Sequence, residues 1–236
     1  ILLLHLIGVN VILVHGGGPD INAMLDALKI ESHFENGLRV TDKDTMDVVQ
    51  MVLAGKVNKG LVAYLSALGG KAIGLSGIDG NMIQVHTKNE KLGLVGEIDH
   101  IDTGVIDSAL SAGFIPVISS VGIDSKGQPH NINADTAATK IAAALNAECL
   151  VFMSNIDGVM QDPKDKDSLL HKLTVVETEA LKKDGTINGG MIPKVDACTD
   201  AIKDGVKKVF IINGEVPHAL LIELLTNEGL GTMFVE

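Results

Sequence analysis

The chain has 236 residues, and its formal net charge is −11 at pH 7. An acidic chain repels phosphate backbones and anionic lipid, so its charge disfavours nucleic-acid binding and a membrane-surface role. Hydrophobic residues make up 46% and charged residues 21%, which is typical of a globular protein. The two cysteines, Cys149 and Cys198, form no C-x-x-C motif, so no zinc or redox motif is visible and a reducing compartment is favoured.

Apolar runs typical of buried strands alternate with stretches of helical periodicity along most of the chain. In chain order the pattern predicts strand 10–15, helix 20–29, helix 45–68, strand 71–75, a hairpin excursion from 81–85 and 95–101, helix 106–112, strand 115–119, helix 136–146, strand 149–154, helices 175–183 and 193–203, strand 208–212, helix 217–226 and strand 232–235. This alternation predicts an α/β fold, with a mostly parallel central sheet sandwiched by helices. Ligands of such sheets bind at the carboxyl ends of the strands.

A glycine cluster, His15-Gly16-Gly17-Gly18-Pro19, follows the first predicted strand and opens a helix. Bare glycine N–H groups and the positive end of a helix suit phosphate or carboxylate oxygens. A tight turn that binds nothing is the alternative. Neither the Rossmann fingerprint nor a Walker A loop fits the glycine spacing. An esterase oxyanion loop also remains open, although the nucleophile elbow that it needs is absent.

Four polar residues stand out as candidates, and each has an ordinary structural alternative. Arg39 suits a carboxylate through two parallel N–H bonds, or it is a solvated arginine. Asn131 suits an acetamido group, or it forms a turn. Asp135 precedes a predicted helix, where an N-cap is the structural alternative. Lys194 lies off the apolar stripe of its helix, so it is either a solvated surface lysine or a phosphate contact.

Four motifs together carry a family resemblance: VHGGGP at Val14–Pro19, NGLRVTD at Asn36–Asp42, NINAD at Asn131–Asp135 and GGMIPK at Gly189–Lys194. In this order they resemble the amino acid kinase family, and its N-acetylglutamate kinases in particular. The likeness extends along nearly the whole chain and implies the amino acid kinase or carbamate kinase-like fold. It implies that ATP phosphorylates the side-chain carboxylate of N-acetyl-L-glutamate, giving N-acetyl-L-glutamyl 5-phosphate for arginine biosynthesis.

The resemblance also assigns roles to the residues that match the motifs. Arg39 would bind the α-carboxylate of the substrate, and Asn131 its acetamido group. The N–H groups of Gly17 and Gly18 would meet the transferring phosphoryl group or the attacking carboxylate. An ionised carboxylate needs no general base, so positioning and charge neutralisation would supply most of the catalysis.

Catalysis and nucleotide binding would complete the site. Lys194 would contact the migrating phosphoryl group, and Asp135 would hold the catalytic lysines in place. Mg²⁺ would bridge the phosphates, held largely by nucleotide and water and without a protein metal site. Residues 1–147 would form an N-terminal lobe for the acyl amino acid and residues 148–236 a C-terminal lobe for ATP, with the nucleotide near Ser154, Asn155, Asp157, Gly158, Ile187 and Asn188.

The sequence departs from the family pattern at its start. These kinases usually open with a strand that ends in a lysine followed by two glycines, and that lysine contacts the phosphates. No residue of this sequence corresponds to that apparently missing N-terminal strand. Either a longer protein carries it or this copy is defective. We expect a longer protein, because losing an interior strand of a buried parallel sheet is very costly.

Several alternatives to the acceptor and to catalysis itself stay open at this point. Sibling kinases phosphorylate N-acetyl-aminoadipate, glutamate, aspartate, carbamate or UMP. A non-catalytic arginine-sensing subunit is a rival of another class. The segment Pro217–Met233 resembles that of arginine-inhibited members, which implies that His218, Glu223 and Gly229 would lie near bound arginine. A cytoplasmic location and a homo-oligomer, either a dimer or a larger ring, are further expectations from the family.

Overall fold

A computed structural model describes residues 1–162, 164–226 and 228–236. The chain divides into two compact units, Ile1–Ala138 (unit 1) and Thr139–Glu236 (unit 2). None of the helices in these ranges has both the length and the apolar character that crossing a bilayer requires.

Unit 1 contains five α-helices that lie wholly within it, and a sixth α-helix that begins in unit 1 and continues into unit 2. They are α1 (Leu2–Leu6), α2 (Gly18–Leu28), α3 (Lys43–Gln50), α4 (Asn58–Ala67), α5 (Gly104–Ser111) and α6 (Ala134–Ala144), and short 3₁₀ turns occupy Asp79–Asn81 and Glu90–Leu92. Its strands are β1 (Leu13–His15), β2 (Phe34–Glu35), β3 (Leu38–Arg39), β4 (Ala72–Ser76), β5 (Ile83–Thr87), β6 (Gly96–Ile101), β7 (Ile115–Ser119), β8 (Val121–Ile123) and β9 (Pro129–Asn131).

The main sheet of unit 1 is parallel, with strand order β1-β7-β4. All five residues of β7 are buried, as expected for the middle strand of a sheet that is covered on both faces. A second sheet has the order β6-β5-β8-β9, and β5 and β6 pair antiparallel in it. The hairpin expected from 81–85 and 95–101 is therefore confirmed, at 83–87 and 96–101.

The predicted helix 45–68 is nearly continuous but changes its hydrogen bonding in the middle. Asp42 caps α3 by accepting a bond from the Thr45 N–H at 2.8 Å. Residues Met51–Val57 then form a π-helix, and α4 follows at Asn58. The apolar positions that predicted the helix are buried against α2, where Val48, Val49, Val52 and Leu53 join Ile21 and Leu25 in one core cluster.

The described residues of unit 2 form one sheet, with strand order β10-β12-β13-β11. Its elements are β10 (Cys149–Ser154), a 3₁₀ turn at Lys166–Ser168, β11 (Lys172–Thr174), α7 (Val175–Lys183), α8 (Met191–Lys203), β12 (Lys208–Asn213), α9 (Ala219–Leu225) and β13 (Thr232–Val235). β10 pairs with β12 and β11 with β13 in parallel, whereas β12 and β13 are antiparallel. The α/β class with a mostly parallel sheet is thus confirmed.

Candidate active site

A cavity of about 210 Å³ in unit 1 opens beside the glycine cluster. Strand β1 ends at His15, and α2 begins at Gly18 with Gly17 as its N-cap. Gly17, Gly18, Arg39 and Asn131 all line the cavity, so the structure brings the four predicted substrate residues together. The remaining wall is formed by Gly16, Ile21, Phe34, Gly37, Leu38, Leu53, Val95, Ser120, Ile132, Asn133 and Ala134.

The π-helical segment packs directly against the glycine loop. A Cβ atom at Gly17 would lie 2.8 Å from Leu53 Cδ2 and 3.1 Å from Val57 Cγ2. Real Cβ atoms essentially never approach within 3.0 Å, so a side chain at position 17 would force the Leu53 side chain to shift. Lys56, on the same segment, pairs with Asp20 in the first turn of α2 at 2.8 Å. Lys56 therefore offsets the negative charge of Asp20, which lies close to the glycine loop that suits anions.

His15 is held from both ring nitrogens. Its Nδ1 lies 2.8 Å from the Gly16 carbonyl oxygen, and its Nε2 lies 3.1 Å from Asn58 Nδ2. Asn58 is fully buried, and its Nδ2 also donates to the Val117 and Leu75 carbonyls at 2.8 and 3.2 Å. Burial lowers the pKa of the His15 imidazole below its ordinary value, partly opposed by the bond to Gly16. Burial therefore favours the neutral ring.

Arg39 is 7% exposed on the short strand β3. Its Nη2 donates to Asn22 Oδ1 at 2.7 Å, and its Nη1 donates to Ser32 Oγ. The guanidinium carbon lies 4.7 Å from the centre of the Phe34 ring, in cation–π contact. Burial lowers the pKa of the Arg39 guanidinium, but arginine keeps its charge in proteins. The result is an oriented cation at the wall of the cavity.

Asn131 ends β9 and donates from Nδ2 to Thr41 Oγ1 at 3.1 Å. That bond fixes the direction of the amide. Two residues further on, the Asn133 side chain accepts a bond from the Thr136 N–H at 3.0 Å, at the start of α6. Asp135 lies in the first turn of α6. The N-cap role considered for Asp135 is therefore wrong, because Asn133 provides that cap.

In unit 2 the carboxyl ends of β10 and β12 lie side by side, with Ser154 in register with Asn213. Asn155 and Asp157 follow Ser154, and Asn213 donates from Nδ2 to Asp157 Oδ1 at 2.7 Å. Gly158 has φ +152°, and a Cβ atom there would lie 2.5 Å from Thr232 Oγ1. This edge of the sheet is the kind of place where parallel sheets bind ligands.

The other predicted residues of unit 2 lie on α8 or just before it. Lys194 is half-buried in the first turn of α8, whose buried face includes Val195 and Cys198 as the apolar stripe predicted. Ile187 is only 2% exposed, and its N–H donates to the Leu181 carbonyl at 2.9 Å. Asn188 is exposed and donates to the Gly185 carbonyl at 2.8 Å. Asp135 belongs to unit 1 and Lys194 to unit 2.

The three residues considered for arginine lie on or near α9. His218 is the N-cap of α9, with φ 63°, and Gly229 has φ +58°. Glu223 Oε2 accepts from the Leu230 and Gly231 N–H groups, at 2.5 and 3.0 Å. One carboxylate oxygen of Glu223 therefore already anchors the chain that leads into β13.

Comparison with known proteins decides the family. Residues 1–213 match the Amino acid kinase family. The chain belongs to this family. An acetylglutamate kinase from Brachyspira hyodysenteriae is 51% identical over 234 residues, which cover 98% of this chain and 81% of the relative. An acetylglutamate kinase from Thermosynechococcus vestitus is 50% identical over 236 residues, covering 100% of this chain and 80% of the relative.

Solved structures of amino acid kinase-like proteins have the same fold. The protein smu.665 from Streptococcus mutans UA159 superposes with a TM-score of 0.83 at 31% identity, covering 98% of this chain and 88% of that one. Carbamate kinase from Giardia lamblia bound to AMP-PNP gives a TM-score of 0.70 at 20% identity, covering 100% and 86%, which is evidence for the fold alone. The carbamate kinase-like fold expected from the motifs is confirmed.

Sequence reasoning missed the residues that hold this amino acid kinase site in place. Asn22 and Ser32 orient Arg39, Thr41 orients Asn131, and Asn58 bonds to His15. His15 lies inside a recognised motif and Asn58 inside the predicted helix 45–68, but no periodicity indicates that they meet. Their contact crosses 43 positions of sequence, so only the fold shows it.

Proposed function

We propose that this chain transfers the γ-phosphoryl group of ATP to the side-chain carboxylate of N-acetyl-L-glutamate, in arginine biosynthesis. The observation that carries the proposal is the 51% identity to an acetylglutamate kinase over 98% of the chain. The cavity beside the glycine cluster supports it, because bare amides, a fixed guanidinium and an oriented amide suit an N-acylated dicarboxylate.

The acyl amino acid is assigned to the cavity in unit 1. Arg39 binds the α-carboxylate through two parallel N–H bonds, and Asn131 meets the acetamido group. Gly17 and Gly18 present N–H groups to the reacting carboxylate or to the transferring phosphoryl group. These amides stabilise charge that spreads over phosphoryl oxygens in the transition state, at no reorganisation cost. The substrate carboxylate attacks in its ionised form.

The nucleotide is assigned to unit 2. The turn after β10 supplies Ser154, Asn155, Asp157 and Gly158, and the segment before α8 supplies Ile187 and Asn188. Lys194 neutralises the migrating phosphoryl group, and Asp135 orients the catalytic lysines. On this assignment, residues 1–147 are the acyl-amino-acid lobe and residues 148–236 the ATP lobe.

Mg²⁺ is the expected partner of the nucleotide. No group of three or more His, Cys, Asp or Glu side chains within the described ranges is arranged to hold a metal ion. In kinases Mg²⁺ is usually held mainly by phosphate oxygens and water. The ion would neutralise phosphate charge during transfer.

A cytoplasmic location, a homo-oligomeric assembly and feedback inhibition by arginine complete the proposal. Arginine inhibition would involve His218, Glu223 and Gly229. Glu223 would have to bind the effector while it also keeps its bonds to the Leu230 and Gly231 N–H groups. A titration of the kinase rate with L-arginine, with L-lysine as the matched control, tests that part alone.

The test of function is a turnover assay with ATP and Mg²⁺ in which hydroxylamine traps the acyl phosphate. We expect N-acetyl-L-glutamate to give a hydroxamate and ADP in equal amounts. L-Glutamate, the matched control, lacks the acetyl group and should react with kcat/KM lower by about 100-fold, since the amide that Asn131 recognises is missing. Equal turnover of the two acceptors would contradict the acyl-group assignment. The absence of ADP formation with either acceptor, in a folded full-length protein, would favour the non-catalytic sensor.

A further inference from the structure

The hydrogen on the His15 ring can be placed from its surroundings. A main-chain carbonyl only accepts hydrogen bonds, so the 2.8 Å contact with the Gly16 oxygen requires a hydrogen on Nδ1. At the other side of the ring, Asn58 Nδ2 lies 3.1 Å from Nε2. The state of Nε2 therefore depends on which end of the Asn58 amide faces it.

The orientation of the Asn58 amide is fixed independently of His15. Its nitrogen lies 2.8 Å from the Val117 oxygen and 3.2 Å from the Leu75 oxygen, and both are acceptors. A flipped amide would turn an oxygen toward two carbonyl oxygens inside a fully buried site, which is strongly unfavourable. Asn58 thus presents its NH₂ group to His15. The two hydrogens of that group are shared among three acceptors, which are His15 Nε2 and the carbonyl oxygens of Leu75 and Val117. Nε2 of His15 accepts, and the ring is the neutral Nδ1–H tautomer.

The bond to the Gly16 oxygen has a consequence for the next residue. In a trans peptide the carbonyl and the following N–H point in opposite directions, so a fixed Gly16 oxygen fixes the direction of the Gly17 N–H. Glycine peptides rotate at little cost, because no Cβ restricts them. A loop of three glycines therefore needs an anchor if its amides are to stay aimed at a ligand. Gly16, Gly17 and Gly18 all line the cavity.

We propose that His15 is a positioning residue that aims the Gly17 N–H at the reacting oxyanion by holding the Gly16 carbonyl, and that Asn58 sets its tautomer. The inference rests on the proposed function, because the oxyanion is the one that forms in phosphoryl transfer. His15 touches no reacting atom in this role. It differs from the glycines in that it acts through the peptide between Gly16 and Gly17.

Two substitutions separate this role from simple packing. The amide nitrogen of asparagine occupies the place of Nδ1, so His15→Asn keeps a donor for the Gly16 carbonyl. The amide of glutamine occupies the place of Nε2, where its oxygen can accept from Asn58, so His15→Gln loses only the donor to the Gly16 carbonyl. We expect H15Q to lower kcat by about 10–100-fold, as for the loss of one aimed oxyanion donor, with both KM values within about threefold. We expect H15N to retain kcat within about fivefold.

Equal kcat values for H15N and H15Q in folded proteins would overturn the proposal, as would a loss in H15Q confined to KM. A measurement on the unaltered full-length protein keeps the test valid if H15Q does not fold. Long-range ¹⁵N–¹H correlation of the labelled imidazole should show His15 with its proton on Nδ1, and a proton on Nε2 would overturn the proposal. An inactive wild-type protein would count against the proposed function instead, and the tautomer would still decide the hydrogen bonding of His15.

Discussion

Arg39 illustrates how a single side chain is prepared for binding. Its guanidinium is almost buried, lies against the Phe34 ring and donates to Asn22 and Ser32. Holding a long side chain in one rotamer costs up to about 2 kcal/mol of conformational entropy. That cost is met when the protein folds, so it does not reduce the affinity for a carboxylate later.

Arg39→Lys should weaken binding of N-acetyl-L-glutamate while keeping the positive charge. A lysine ammonium offers no planar pair of donors and cannot reproduce the contacts to Asn22 and Ser32 together. We expect KM for the acyl amino acid to rise about 10–100-fold, with a smaller change in KM for ATP, in steady-state kinetics.

Ser32→Ala is the matched control for this prediction. It leaves the guanidinium in place and removes one acceptor that orients it. Its KM should rise by less than that of R39K. If R39K binds N-acetyl-L-glutamate as tightly as the unaltered protein does, the α-carboxylate is bound elsewhere and the role of Arg39 is wrong.

At this scale the sequence identified the residues that contact ligands in the proposal but not the residues that support them. Arg39 and Asn131 are recognisable because their motifs are specific. Asn22 is 17 positions from Arg39, and Thr41 is 90 positions from Asn131. Contacts of that separation follow from how the chain packs, and no local pattern records them.

Among the secondary structure elements, the π-helix is the one that shapes the site. A π segment inside an α-helix is rare and is often found at functional sites. Here it carries Leu53 and Val57 to Gly17, and it is followed at once by Asn58, which bonds to His15. The helical turn and the glycine loop are therefore one packed assembly.

Gly74→Ala tests how tightly Asn58 is held between the helix and β4. A Cβ atom at Gly74 would lie 2.0 Å from Asn58 Oδ1 and 2.5 Å from Lys59 Nζ. Asn58 cannot retreat without losing its bonds to the Leu75 and Val117 carbonyls. We expect the free energy of unfolding, measured by urea titration, to fall by about 2–4 kcal/mol.

Gly60→Ala provides the control in the same region. Gly60 lies in α4, and no atom lies within 4 Å of the position of its Cβ. Alanine is the better helix former, so the free energy of unfolding should rise by about 0.5–1 kcal/mol. Equal effects of G74A and G60A would mean that the contact between Asn58 and β4 does not constrain the fold.

The longer elements were predictable because their periodicity is sustained over many residues. The long helix, the hairpin and the strands at 115–119 and 149–154 all occur in the structure. The strands β2, β3, β8, β9 and β11 were not predicted, because two or three residues give no measurable period. The π-helix was also missed. Over only seven residues its different helical period barely moves the apolar positions away from those of an α-helix.

On the scale of the whole molecule, the two compact units allow the lobe assignment to be tested directly. The described strands of each unit pair only within that unit, and each unit has its own candidate binding residues. A ligand that binds one folded unit should slow hydrogen exchange mainly in that unit. Exchange through local opening of the bound site requires the ligand to leave. The pattern of protection therefore reports which unit holds which substrate.

We expect N-acetyl-L-glutamate to protect amides at 16–18, 38–41 and 131–134 in hydrogen exchange read by mass spectrometry. We expect AMP-PNP with Mg²⁺ to protect 154–158 and 187–191. At 100 times its Kd, a ligand adds about 2.7 kcal/mol, so exchange by opening of the ligand site should slow by up to about 100-fold. L-Glutamate at the same concentration is the control and should protect 131–134 less, because it lacks the acetyl group. Nucleotide protection confined to the glycine loop, without change at 154–158, would reverse the assignment of the two lobes.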